Sequence, residues 1–232
     1  MKILVACEES QVVTKAFRQR GHDAFSCDIL PSSGGYPEWH FMGDVLSLIK
    51  TGKGKLETGK MKSVKKWDMM IAHPPCTYFA ASGAKWYYHP DDSHLPVEAR
   101  RPHPRFPNRK KERAESYRFF MSLASAPIDK IALENPVGYI NSMWRKPDQI
   151  FQPYEFGVSA SKRTCLWLKN LPKLKPTKLV SPGERIYFKS GKSQPKWYSD
   201  ALVSSKSSEE RRTIRSKTFK EIAEVIAEQW SK

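Results

Sequence analysis

No stretch of this 232-residue chain approaches the roughly 20 consecutive apolar residues of a bilayer-crossing helix, so none is expected. The opening run Met1-Lys2-Ile3-Leu4-Val5-Ala6 is too short for the apolar core of a signal peptide, and no secretion is expected. The four cysteines, Cys7, Cys27, Cys76 and Cys165, are widely spaced, with no Cys-x-x-Cys pair and no Cys/His zinc spacing. That argues against a disulfide framework and a zinc module; no metal is expected, and the thiols fit a reducing cytoplasm. There is no internal repeat and no low-complexity tract, which removes solenoids and long disordered tails. Acidic residues are scarce: 24 Asp+Glu face 40 Lys+Arg, for a net charge of +16. A pI near 9.7 is a polyanion-binding profile, shared by nucleic-acid and membrane-surface proteins.

What is present centres on Cys76. It follows the apolar segment Trp67-Asp68-Met69-Met70-Ile71, which reads as a short buried strand, and the pair Pro74-Pro75. The prolines fix φ and stiffen the loop, which holds the thiol at the mouth of an open α/β sheet. Ile131-Ala132-Leu133-Glu134-Asn135-Pro136 sets a carboxylate at the end of a second apolar run. Ser161-Lys162-Arg163-Thr164 sets a cation just before a third. Alone, such a Cys reads as a small core residue, such a Glu as a cap and such an Arg as a solvated edge. Together they point to one active site.

The length suits one α/β domain with insertions. A strand over 3–7, a helix to about Arg20 stopped by Gly21, and a strand over 23–27 ending at Asp28 form an opening β-α-β unit. An acid after the second strand is where doubly wound folds bind an adenosine ribose. Asp44 follows Gly43 after a short apolar patch, and residues 51–66, rich in Gly and Lys, read as a mobile surface connection. The insert 95–113 interleaves Arg100, Arg101, Arg105, Arg109, Lys110, Lys111 and Arg113 with prolines, so no helix is expected before Asn108. A helix over 109–123 leads to a strand over 128–133. Phe151 to Phe156, Thr164 to Leu168 and Arg185 to Phe188 are strand candidates, and one helix is expected over 207–231. Trp86, Tyr87 and Tyr88 either stack on bases or pack beneath the insert.

The order of Cys loop, Glu-Asn-Pro, basic strand-lead and C-terminal helix resembles the DNA (cytosine-5)-methyltransferases, small phage-type members especially. Pro75-Cys76 looks like the family's catalytic Pro-Cys. Glu134-Asn135-Pro136 looks like its Glu-Asn-Val, with Pro for Val, and Lys162-Arg163 loosely matches Gln-x-Arg-x-Arg, which carries over onto Arg163. The resemblance implies a single α/β domain, a doubly wound, mostly parallel sheet of the S-adenosylmethionine-dependent methyltransferase (Rossmann-like) type. It implies S-adenosylmethionine or a close relative as donor, DNA as partner, and a bacterial or phage-infected host cytoplasm. It sets Asp28, with Ile29 beside it, on the donor's ribose, Asp44 on the adenine amine, and Cys7, Glu8, Glu9, Ser10 and Pro74 around the rest. The family's first motif is glycine-rich, whereas Cys7-Glu8-Glu9-Ser10-Gln11 has no glycine. One of its two carboxylates is expected to pair with the donor's α-ammonium. Residues 169–206 leave room only for a reduced target-recognition region, so nucleic-acid contacts are expected on Arg100, Arg101, Arg105, Arg109, Lys110, Lys111 and Lys162.

The implied chemistry is addition of the Cys76 thiolate to cytosine C6, which turns C5 into a nucleophile for the methyl group. A protonated Glu134 would bridge N3 and the 4-amino group, Arg163 would hold the base carbonyl or its phosphate, and the base would be flipped from the duplex. Three alternatives stand beside this reading. An N4/N6 amino-methyltransferase would use a Pro-Pro-aromatic loop; here the third residue is Cys76. A different group transferred to the same C5 would need only another donor pocket. A non-catalytic DNA-binding protein on the same scaffold would bind DNA and ignore S-adenosylmethionine.

Overall fold

Strands that are apolar on both faces pair in parallel only when helices cover both sides of the sheet. The chain meets that condition in the computed structural model, which describes residues 1–216 and 218–231. Its first half runs β1 (Lys2–Ala6), α1 (Val12–Gln19), β2 (Asp23–Asp28), β3 (His40–Met42), α2 (Val45–Thr51), β4 (Lys53–Lys55), β5 (Met61–Ser63) and β6 (Met69–Ala72). Then come α3 (Arg109–Ala124), β7 (Lys130–Pro136), α4 (Tyr139–Met143), β8 (Gln149–Phe151), β9 (Thr164–Lys169), β10 (Arg185–Tyr187) and β11 (Ser193–Pro195). Helices α5 (Lys196–Ser204), α6 (Ser208–Ser216) and α7 (Lys220–Trp230) close the chain.

The central sheet has seven strands in the order β3-β2-β1-β6-β7-β9-β8. The first five are parallel, β9 runs antiparallel to β7, and β8 antiparallel to β9. This is the α/β, doubly wound, mostly parallel sheet expected from the sequence. The order reverses at β1, which leads through α1 to β2 on one side while β6 joins on the other. At such a switch point a crevice opens beyond the carboxyl ends of the strands.

Strand alternation divides the core into two faces. Ile3, Val5, Met69, Ile71 and Leu166 pack with Phe17 of α1 and with Ile222, Ile226 and Trp230 of α7. Leu4, Met70, Ile131, Leu133 and Trp167 pack with Leu48 of α2 and with Phe120 and Leu123 of α3. Each such side chain stabilises the fold by about 1.5–3 kcal/mol relative to exposure.

Several expectations shift. The strand expected over 128–133 starts at Lys130 and reaches Pro136, so Glu134 and Asn135 lie inside β7 rather than after it. Residues 51–66 form the β4–β5 hairpin, because Leu56 bridges Phe41 and both Leu56 and Val64 are buried. Of the run from Phe151 to Phe156, only Phe151 is strand; Pro153, which cannot donate to a ladder, opens a 3-10 turn over Pro153–Glu155. The single C-terminal helix is two. Ser207 Oγ accepts the Glu210 N–H and Glu210 Oε2 accepts the Lys206 N–H, which starts α6 near the expected place. Extended backbone at Phe219 then separates α6 from α7. Lys217, inside the expected helix, lies outside the described residues, as do the side chains of Ser208 and Glu209.

Candidate active site

The loop after β6 is held from three sides. Asn135 Nδ2 donates to the Pro74 carbonyl at 2.8 Å, and the Cys76 carbonyl accepts the N–H groups of Phe79 (3.0 Å) and Ala80 (3.1 Å). The Tyr139 N–H donates to the Phe79 carbonyl at 2.9 Å, so the loop is sewn to the turn that follows β7. Gly138 permits this closeness: a Cβ there would stand 2.0 Å from the Phe79 carbonyl oxygen. On the third side Arg109 Nη2 donates to the Thr77 carbonyl at 2.9 Å. Cys76 itself is half-buried, at the mouth of the crevice.

Arg109 corrects the sequence reading. Its side chain is not an exposed phosphate contact but is buried, 5.1–5.7 Å from the ring centres of Tyr78, Tyr87 and Phe106. Arg101 is likewise engaged, gripping Asp92 through two guanidinium nitrogens and holding that carboxyl well below its usual range. Arg100 donates to the carbonyls of Leu95 and Ser93. Arg105, Lys110 and Lys111 are exposed. Trp86 packs edge-on against His103 and Phe106, and Tyr87 is buried with its hydroxyl donating to the Tyr78 carbonyl, so these two rings support the insert from below.

Glu134 meets a partner that sequence reasoning missed. His73 Nδ1 lies 3.2 Å from Glu134 Oε2, and an ionised carboxylate only accepts, so Nδ1 carries the proton of this bond. His73 Nε2 is buried with no hydrogen-bond partner among the described residues. Burial pushes the Glu134 carboxyl up, but the His73 bond and the Lys162 ammonium outweigh it and hold it below the usual carboxylate range. The expected protonated Glu134 is therefore ionised in the free protein. Lys162 and Thr164 line one small cavity with His73 and Glu134, whereas Arg163 is exposed and does not line it. The cation facing Glu134 is Lys162, not Arg163. Alternation could have shown this: His73 follows Ile71 by two and Lys162 precedes Thr164 and Leu166 by two and four, all on one face.

On the other side of the crevice the first loop adopts glycine-like backbone without glycine. Cys7 and Gln11 have φ of 58° and 56°, in the left-handed region. Glu8 is spent on the helix: its carboxylate accepts the N–H groups of Val13 (2.6 Å) and Thr14 (3.2 Å) and the Thr14 hydroxyl (2.7 Å), doing an N-cap's work for α1. It is fully enclosed and unavailable to a donor's ammonium. Glu9 accepts the Ser33 hydroxyl and keeps some exposure, as does Ser10. Asp28, at the end of β2, accepts the Leu30 N–H through Oδ1 at 3.0 Å, and burial raises its carboxyl. Beside it Ile29 is 73% exposed, a large apolar side chain on the crevice rim. Asp44 accepts the Leu46 and Ser47 N–H groups as the N-cap of α2. Burial, and then Asp28, push the thiols of Cys7 and Cys27 up, Cys27 to about 12, and burial also raises Cys165. None of those three is suited to nucleophilic attack near neutrality.

No protein-family model and no curated protein matches the chain. Among solved structures it is similar to a triple mutant of DNMT2 from Spodoptera frugiperda, at 16% identity and a TM-score of 0.42. The alignment covers 78% of this chain and 57% of that one, so the chain spans little more than half of that structure. A likeness of this degree transfers neither activity nor substrate.

Proposed function

We propose that the protein is an S-adenosylmethionine-dependent methyltransferase that acts on C5 of cytosine in DNA, with Cys76 as nucleophile. One observation carries the reading: the Cys76 loop follows β6, a strand of the switch point, and Glu134 lies just past the last β6–β7 pair, Ala72 with Leu133, the two segments being tied by the Asn135–Pro74 hydrogen bond. A base carbon attacked from the thiol side would have its ring nitrogens toward Glu134.

The residues present fit a nucleoside sulfonium donor in its adenosine half. Asp28 would take the ribose hydroxyls, Ile29 would cover the adenine face, and Asp44, Cys7, Glu9, Ser10 and the Pro74 backbone would complete the wall. S-adenosylmethionine would supply a methyl group activated for attack by C5. The chain's own work is elsewhere. Cys76, its thiol proton lost to solvent, forms the bond to C6 as thiolate; once C5 is substituted, the C5 proton leaves to solvent and the C6–S bond breaks, returning the thiolate. Glu134 accepts from the 4-amino group as it stands; to bridge N3 it needs one proton, taken up from solvent, while His73 Nδ1–H stays on Oε2 and orients the carboxyl. Lys162 offsets charge beside the ring.

The test is DNA carrying 5-fluorocytosine, incubated with enzyme and S-adenosylmethionine. A complex that survives denaturing electrophoresis and vanishes in Cys76→Ser supports the reading; an adduct through Cys7, Cys27 or Cys165 sinks it. A second reading, transfer of a different group to the same C5, is favoured by one finding: Glu8 is committed to α1, which removes one of two carboxylates available for an α-ammonium. Calorimetry with S-adenosylmethionine separates the two.

A further inference from the structure

The amino ends of β6 and β7, opposite the end that carries Cys76, have their own concentration of charge. Seven of the lysines fall between residues 50 and 66, with one acid, Glu57, among them. Lys50, Lys53, Lys65 and Lys66 line a groove of about 410 Å³ between the end of α2, the β4–β5 hairpin and the segments that enter β6 and β7. Trp67 and Ile128 form part of its wall. Lys55, Lys60 and Lys62 stand on the hairpin beside it.

Among the described residues none of the seven forms an ion pair. The nearby acids are engaged: Glu57 accepts from Ser32, Asp68 from the Lys2 N–H and Asp129 from Asn170. Unpaired like charges on one face repel one another and destabilise the fold slightly, so they are explained by a polyanion that neutralises them. The groove is open, with four lysines on its rim, and compact lysine ammoniums suit phosphate, which they meet as point charges.

We propose that this groove binds the phosphodiester backbone of a nucleic acid, holding the polymer on a face remote from the base presented to Cys76. The proposal extends the nucleic-acid reading above but does not depend on methyl transfer. It accounts for binding strength without sequence readout, since phosphate contacts position a polymer and do not specify it.

The experiment uses the full chain and Lys53→Gln/Lys65→Gln/Lys66→Gln, with a duplex DNA long enough to span both ends of the sheet, an RNA of the same sequence, and polyglutamate. Removing three phosphate contacts should flatten the log–log salt slope by roughly two to three units, while adduct formation on a short 5-fluorocytosine duplex stays unchanged. Nucleic acid should also protect these lysines from acylation in wild-type protein, and whichever of DNA and RNA protects names the source. An unchanged slope would overturn the proposal. So would equal protection by polyglutamate, or an equal loss of slope on removing Lys173, Lys175 and Lys206 instead. Protected lysines without any Cys76 adduct would retire the catalytic reading and leave the groove standing.

Discussion

Replacing Arg109 tests whether the basic insert grips substrate or grips its own protein. The guanidinium is buried without a carboxylate partner among the described residues, donates to the Thr77 carbonyl at 2.9 Å, and lies against three aromatic rings. Arg109→Met keeps most of the apolar stem and loses the hydrogen bond, worth about 1.5–3 kcal/mol when one partner is charged. Cation–π attraction of about 0.5–1 kcal/mol per ring is lost as well. Against this, the variant no longer buries an unpaired charge, a penalty of several kcal/mol. Global stability should therefore change little, while the loop that carries Cys76 loses its anchor. If the Thr77 bond is what holds the reactive geometry, its loss slows adduct formation by roughly 10- to 150-fold, the same energy at about 1.4 kcal/mol per decade.

The assay is the rate of 5-fluorocytosine adduct formation at saturating DNA, beside the rate of Cys76 alkylation and limited proteolysis across residues 76–108. Arg109→Lys should fall between, because an ammonium reaches the carbonyl but does not stack as a plane. The salt slope of DNA binding should be unchanged in Arg109→Met, whereas Lys110→Ala/Lys111→Ala should flatten it by about two units if both exposed lysines meet phosphates. An adduct rate equal to wild type together with a slope lower by about one unit would refute the reasoning and return Arg109 to the phosphate contacts.

Three further outcomes are expected. In His73→Asn, burial acts on Glu134 without the histidine proton, so its carboxyl rises. Because the wild-type carboxyl is depressed, its stabilisation is present above the unfolded pKa of about 4.3 and is lost as pH falls through the folded value. Unfolding measured across the acid range should thus show wild type ahead of the variant near neutrality and the difference closing on acidification; a gap independent of pH would reject the proton assignment. Gly138→Ala, which sets a Cβ against the Phe79 carbonyl, should cost about 1–3 kcal/mol in denaturant unfolding and slow the adduct; an unaffected variant would show the loop able to give way. Lys162→Met should impair the adduct rate far more than Arg163→Met, and the reverse order would restore Arg163 to the site.

The doubly wound core was legible because each central strand is apolar on both faces and each is followed by a polar or glycine stop. The positions of Cys76 and Glu134 were legible for the same reason: each follows an apolar run, although β7 runs two residues beyond Glu134. The β4–β5 hairpin was not, since its own residues are mostly Gly and Lys and its burial comes from Leu56 and Val64 meeting Phe41 and its neighbours across the fold. Arg109 was misread because the fourth of seven cations in a basic run looks solvated; only the tertiary position of three rings makes it a core residue. Lys162 and Arg163 differ by a single residue, and that is the interval at which strand alternation exchanges faces.

The glycine-free first loop shows where a motif and the physics beneath it part. A glycine there stands for a left-handed φ, and two other residues adopt that φ here. An L-residue in this region loses roughly 1–2 kcal/mol. Cys7 offsets it with its N–H on the Cys27 carbonyl at 2.8 Å. Gln11 is fully buried, donates to the Tyr36 carbonyl and Ser26 hydroxyl, and accepts the Tyr36 N–H, which fastens the loop to the connection after β2. The loop is thus held by side chains where glycine would have left room. Close backbone approach of a ligand was the use expected of those glycines; here the buried Gln11 side chain is committed to Tyr36 and Ser26. If a donor binds in this crevice through its adenosine half, Asp28→Ala should weaken its binding far more than DNA binding, as calorimetry with S-adenosylmethionine would read; equal losses of both would reject the assignment.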